Sequence, residues 1–193
     1  MTTAPDGDVV DLLTADHREF DRLFRELEAL SGHTGEDDLR RKRELVDQVT
    51  IGIVQHAVAE ETQVYPRVDA ELDHDEAERS KHEHGEAEET MKRLERMDPG
   101  DAGFDGEVAT LAREIREHAQ HEEGVMFAEL RRGFPADRLA EMARDVERVK
   151  AIAPTRPHPN TPNEAGVRAA LGPVASLLDH LRDAVSGRGK HSG

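Results

Sequence analysis

The chain has no cysteine and no tryptophan, one tyrosine and five phenylalanines in 193 residues. The absence of cysteine excludes disulfides, thiolate metal sites and a cysteine nucleophile. β-Branched residues are sparse and Ala, Leu, Glu and Arg abundant, which favours helices. Basic residues are also in short supply: 26 Lys and Arg stand against 42 Asp and Glu, a formal net charge of −16. So acidic a chain argues against nucleic acid as a partner, because phosphate binding needs a basic face. The same charge argues against an anionic membrane surface. No apolar run approaches the roughly 20 residues of a membrane-spanning helix. The opening Met-Thr-Thr-Ala-Pro-Asp lacks the basic and apolar regions of a secretory signal. The expectation is a cytoplasmic protein with no nucleic-acid and no membrane partner.

What is present is helical periodicity. Four stretches carry apolar residues at the spacing of one helix face. The first, residues 8–30, has Val10, Leu13, His17, Phe20, Phe24 and Leu27 on its stripe. The second, 36–65, has Leu45, Val49, Ile53, His56, Glu60 and Val64, and Pro66 is expected to stop or kink it. The third, 75–97, has Ala77, His84, Ala87, Glu88, Met91 and Leu94 before a stop at Asp98-Pro99-Gly100. The fourth, 104–132, has Leu111, Ile115, His118, Glu122, Val125, Met126 and Leu130. Long helices with short connections predict an all-α, up-down-up-down four-helix bundle over residues 1–134. An additional helix is expected over 135–152, a proline-rich linker over 153–166, and a C-terminal amphipathic helix with a tail over 167–193.

Each of the four stripes contains a histidine, and three follow it four residues later with a glutamate: His56 with Glu60, His84 with Glu88, His118 with Glu122. Ionised carboxylates are costly to bury unless paired or bound to metal, and no basic residue shares the stripes of Glu60 and Glu122. Residues i and i+4 lie one above the other on a helix, so each pair can reach one metal, or its glutamate can bridge to a second. A 62-residue echo relates His56-Ala-Val-Ala-Glu60-Glu61 to His118-Ala-Gln-His-Glu122-Glu123. It sets the two pairs on parallel helices at one level. Mixed imidazole and carboxylate donors without sulfur suit iron or, as the alternative, manganese. Candidate ligands are therefore His17, His56, Glu60, His84, Glu88, His118 and Glu122. Tyr65, five residues past Glu60, is either a core aromatic or a hydrogen-bond donor or ligand at the site. His82 falls on a polar face, and His121 is read as a rim residue. Glu61 and Glu123 are either support for the site or merely solvated.

Four segments resemble the hemerythrin-like, or HHE cation-binding, family. They are Leu-Leu-Thr-Ala-Asp-His17-Arg-Glu-Phe, His56-Ala-Val-Ala-Glu60-Glu61 leading to Tyr65-Pro66, Glu83-His84, and His118-Ala-Gln-His-Glu122-Glu123 leading to Phe127. The resemblance spans about residues 8–132, and the rest looks like the extension of actinobacterial members. It implies an oxo- or hydroxo-bridged pair of non-haem Fe ions that meets small oxidants: H2O2, O2 or NO. The oxygen carriers of the family have a second histidine where this chain has Glu88, and an aspartate five residues after the last histidine where this chain has Glu122 at four. Added carboxylate favours ferric iron, so the expectation is weak catalase-like peroxide turnover rather than oxygen carriage. An iron- or oxygen-sensing binding module without turnover is the alternative, and a metal-free helical interaction protein is the third reading.

Overall fold

Asp8 starts the first helix. Its carboxylate accepts the Asp11 N–H at 3.0 Å, and the Asp11 carboxylate accepts the Asp8 N–H at 3.0 Å. This reciprocal cap satisfies two amides that a helix N-terminus would otherwise leave unpaired. The computed structural model describes residues 7–72 and 74–152, and every regular element among them is helical. Helix α1 is Val9–Ala29. A turn containing Gly32, at φ 77°, leads into α2, Glu36–Ala59, whose first turn carries Glu36, Asp37 and Asp38 against the positive end of its dipole. One π-helical turn, Glu60–Val64, joins α2 to α3, Tyr65–Glu71. Helix α4 is His74–Arg96. Gly103, at φ 106°, precedes α5, Phe104–His121. A second π-helical turn, Glu122–Met126, leads to α6, Phe127–Gly133, and α7 is Ala136–Ile152.

The four arms of the bundle are α1, α2 with α3, α4, and α5 with α6. Helix α1 packs on α2 and α5, and α4 packs on α3 and α5, as an up-down-up-down bundle requires. Leu13, Phe24, Leu45, Leu94, Phe104, Leu111 and Leu130 fill its interior. Gly52 brings α2 close to α1, since a Cβ there would lie 2.8 Å from Phe20 Cε1. The buried Lys42 ammonium bonds the Asp105 carboxylate at 2.7 Å, and that carboxylate also accepts the Gly32 N–H at 2.7 Å. These bonds tie the α1–α2 turn to α5.

One sequence expectation about the fold needs adjustment. Pro66 does not end the second arm, which continues to Glu71. Proline stands in the first turn of α3, where its missing N–H is one that a helix start leaves unused. The linker over 153–166 and the amphipathic helix over 167–193 lie outside the described residues. The additional helix is α7. It lies across α1 and α2 and against the first π-turn, burying Leu139, Met142, Val146 and Val149. Asp145 receives a bond from Arg67 at 2.9 Å. Lys150 bonds both oxygens of Asp16, at 2.5 and 2.6 Å.

Because Met142 is fully buried, Met142→Ala is expected to destabilise the fold by about 2–5 kcal/mol, the usual cost of such a cavity. Urea unfolding measures this, and a loss below about 0.5 kcal/mol would show that α7 is not part of the packed core.

Candidate metal centre

The four stripe histidines meet in the middle of the bundle. His17, His56, His84 and His118 are buried, and Glu60 and Glu122 are wholly so. The imidazoles face one another in two pairs: His17 Nε2 lies 3.2 Å from His56 Nε2, and His84 Nε2 lies 3.1 Å from His118 Nε2. Glu60 Oε2 lies 3.1 Å from His56 Nε2 and 3.4 Å from His84 Nε2. Glu122 Oε2 lies 3.4 Å from His118 Nε2 and 3.5 Å from His17 Nε2. Each glutamate therefore spans two arms of the bundle.

Behind each imidazole stands a carboxylate. His17 Nδ1 bonds Glu123 at 3.0 Å, His56 Nδ1 bonds Asp16 at 2.9 Å, His84 Nδ1 bonds Glu61 at 3.1 Å, and His118 Nδ1 bonds Glu83 at 2.9 Å. An ionised carboxylate only accepts, so Nδ1 carries the proton and donates it. That fixes the tautomer and turns every Nε2 inward, as in the carboxylate–histidine arrangement behind bound metals. Every supporting acid is the sequence neighbour of a cluster residue on another arm: Asp16 beside His17, Glu61 beside Glu60, Glu83 beside His84, Glu123 beside Glu122. The four bonds form a closed circuit around the bundle.

The π-turns place the remaining group. On an α-helix Tyr65 would lie about 140° around the axis from Glu60, at 100° per residue. The first π-turn adds a residue to the turn: the Tyr65 N–H donates to the Glu60 carbonyl, and Tyr65 returns to the face of Glu60. The Thr62 hydroxyl takes up the Val58 carbonyl at 2.7 Å beside the widened turn. The Tyr65 hydroxyl then reaches Glu122 Oε1 at 2.8 Å, Glu60 Oε2 at 3.1 Å and His84 Nε2 at 3.2 Å. The second π-turn acts likewise on Phe127, whose N–H donates to the Glu122 carbonyl and whose ring stacks on His17 at 5.7 Å.

Glu88 is not brought in. It is half-buried and bonds Lys92 at 2.8 Å, one turn along α4. Helix α4 runs uninterrupted, and the flank of His84 Nε2 is occupied by the Tyr65 hydroxyl. His82 is exposed and faces Glu86, and His121 bonds Glu76 at 2.8 Å. A groove of about 1100 Å³ between α4 and α5 reaches His118.

Charge within the cluster is unbalanced without a cation. Burial alone would push the His56 imidazole toward neutrality, yet the Glu60 charge and the Asp16 bond outweigh it and hold its pKa up to about 10. His84 is raised to about 9 against burial by its bonds to Glu60 and Glu61. Burial would raise the Glu60 pKa, but the His56 charge holds it well below the usual carboxylate range. The bond from His118 holds Glu83 down to about 2. Burial and the charges of Glu122 and Glu60 keep the Tyr65 phenol protonated. Protons thus stand in for a cation. Even so, Glu60 Oε1 and Glu122 Oε2 are buried without a hydrogen-bond partner, a costly state that a bound cation relieves. Two groups of buried donors lie close enough to grip a metal ion: His17, His56, His118 and Glu122, and Glu60, His84 and His118. The residues fit metal.

Residues 8–130 match the hemerythrin HHE cation binding domain family, and the chain belongs to that family. It is 25% identical over 178 residues to a hemerythrin-like protein of Schizosaccharomyces pombe, covering 91% of this chain and 85% of that one. It is also 24% identical over 146 residues to a protein of Nostoc sp. described as a DNA nickase, covering 76% of this chain but only 40% of that protein. No solved structure matches. The buried His/Glu cluster fits a cation-binding domain.

Asp16 and Glu83 were not singled out as site residues from sequence, although both precede a stripe histidine. That adjacency, shared with Glu60-Glu61 and Glu122-Glu123, is the signal that finds them. Glu83→Gln is expected to lower metal affinity about 10- to 100-fold, whereas Glu88→Gln and His82→Ala leave it unchanged. Competition with a chelator measures all three; equal losses in Glu88→Gln and Glu83→Gln would contradict the placement of these side chains.

Metal removal has a pH signature. A raised histidine pKa adds stability that is complete below the unfolded value of 6.5 and disappears as pH rises through the folded value of about 10. Chelator-stripped protein is therefore expected to lose stability between those limits, and metal-loaded protein to keep it. Thermal melts across the range decide: parallel curves for the two forms would refute the charge assignment.

Proposed function

We propose that the chain is a non-haem di-iron protein of the hemerythrin-like family that reacts with small oxidants, hydrogen peroxide first, with O2 and NO as related ligands. The observation that carries this reading is the pair of facing imidazole couples spanned by two wholly buried glutamates. Without metal, protons on His56 and His84 stand between the facing Nε2 atoms of the two couples, and one cation per couple would take their place. Nitrogen and oxygen donors without sulfur favour iron, with manganese second. His17, His56, His84, His118, Glu60 and Glu122 would hold the pair. Iron held there would supply a Lewis acid that can change oxidation state.

The chain's own residues do the rest. The Nδ1 bonds fix each imidazole so that no ligand must reorient on binding. Phe20 and Phe127 lie against His56 and His17 and exclude bulk water. Tyr65, rather than Glu88, supplies the extra oxygen donor beside His84. Hard oxygen donors favour ferric iron, and a resting ferric pair suits peroxide better than reversible O2 carriage. Nothing in a surface of net charge −16 supports DNA as a substrate. One observation favours a sensing module as the second reading: Lys150 of α7 bonds Asp16, which holds His56, so α7 is coupled to the site.

Purified protein is expected to hold about two irons per chain, from the donor set, and to release oxygen from hydrogen peroxide. Glu122→Ala is expected to lose iron and that activity together. Iron analysis beside an oxygen electrode tests both. Stoichiometric zinc without iron would refute the reading, as would a reversible O2 adduct in protein inert to peroxide. A full iron complement without oxygen release would favour the sensor.

A further inference from the structure

Two of the four supporting carboxylates also meet a cation, and the two cations come from different places. Glu83, behind His118, takes the Arg79 Nε–H at 3.0 Å from one turn back on α4. Exchanging α1 with α4, and the second arm with the fourth, carries the Glu83–His118 bond onto the Asp16–His56 bond. The same exchange puts Leu12 at the place of Arg79, and Leu12 packs on the core without a charge. At that place the bundle has no cation to offer Asp16. Lys150 supplies one from α7, outside the four arms, at 2.5 and 2.6 Å from the two carboxylate oxygens. Arg79 is 58% exposed and Lys150 only 22%, so water screens the Lys150 pair less.

Asp16 thus stands between two donors. His56 Nδ1 reaches its Oδ2 at 2.9 Å, and Lys150 holds the same oxygen at 2.6 Å. The negative charge is shared, and what Lys150 neutralises is lost to the imidazole. A carboxylate that draws strongly on Nδ1–H makes Nε2 a more basic metal ligand. A more basic ligand favours ferric iron, so docked Lys150 moderates that draw and favours ferrous iron. By linkage the converse holds to the same extent: Asp16 holds Lys150 less tightly when the iron is ferric. Lys150 lies in the last turn of α7, and helix ends are where local opening costs least.

We infer that Lys150 is a positioning residue that sets how far Asp16 draws on His56, and that it thereby ties the docking of the last turn of α7 to the oxidation state of iron in the centre. The turn is held down over a ferrous pair and loosened over a ferric one. Hydrogen peroxide is the oxidant: two electrons from a pair loaded as ferrous ions and two protons from solvent reduce it to two waters. A change inside the bundle is then felt at its surface, at the end of the described chain. The inference rests on the di-iron reading above and gives its sensing form an output.

Redox titration of iron-loaded protein, with metal analysis of the same samples, tests the role of Lys150. Lys150→Met is expected to raise the preference for ferric over ferrous iron about 5- to 150-fold, the usual span of coupling between two sites, which is read as a lower reduction potential. Lys150→Arg is expected to keep the wild-type potential. Asp145→Asn removes the charge from a second polar tie of α7, to Arg67 at 2.9 Å, and is expected to leave the potential in place. Amide exchange needs no substitution: in wild-type protein residues 148–152 are expected to exchange faster in the ferric form than in the ferrous form. In Lys150→Met the two forms are expected to exchange alike. An unmoved potential in Lys150→Met protein that keeps its metal pair, an equal shift in Asp145→Asn, or equal exchange in the two wild-type forms overturns the inference. Wild-type protein that holds no metal pair overturns the di-iron reading instead.

Discussion

Four hydrogen bonds from imidazole Nδ1 to carboxylate organise this protein. Each crosses from one arm of the bundle to another, and each fixes both the orientation and the tautomer of a buried histidine. Without them the rings could rotate, and the inward array of Nε2 atoms would have no reason to persist in an apolar interior. With them the bundle is committed to an electron-rich centre. Two fully buried glutamates deepen that commitment. The leucine and phenylalanine layers around the centre supply packing, but they do not choose among the ways four amphipathic helices can be rotated. The polar circuit does, because only one register lets all four bonds form.

Much of this was legible in the sequence, because helix periodicity and ligand spacing are the same period. A histidine on the stripe of Val10, Leu13 and Phe20 must point where they point, and Glu60 and Glu122 follow by the i+4 rule. Glu88 obeys the same rule and still lies outside the cluster. Spacing along a helix fixes a face, but not which atoms the neighbouring arm sends toward it; here Tyr65 arrives first. The two π-turns were not legible, since no residue type marks them and a helical wheel assumes they are absent. Tyr65 was undecided for that reason. Pro66 misled in the opposite direction, because the arm restarts as α3 just where a proline does no harm.

The acidic composition has two sources with different physics. Many acids, such as Glu19, Glu26 and Asp37, lie toward solvent and pair with nearby arginines. Such pairs contribute little each. A small remainder, Glu60 and Glu122, sits at zero exposure. Composition counts both alike, yet the second group sets the chemistry.

Burial of the centre bears on time rather than affinity. A groove reaches His118, but the other cluster side chains are buried in the bundle, so a metal ion has few ligands by which to arrive or leave stepwise. Exchange must wait for the arms to part far enough to break several of the cross-arm bonds at once. The residence time of the ion is then set by the frequency of bundle opening and not by the strength of any one coordinate bond, and loading is easiest while the chain is still folding.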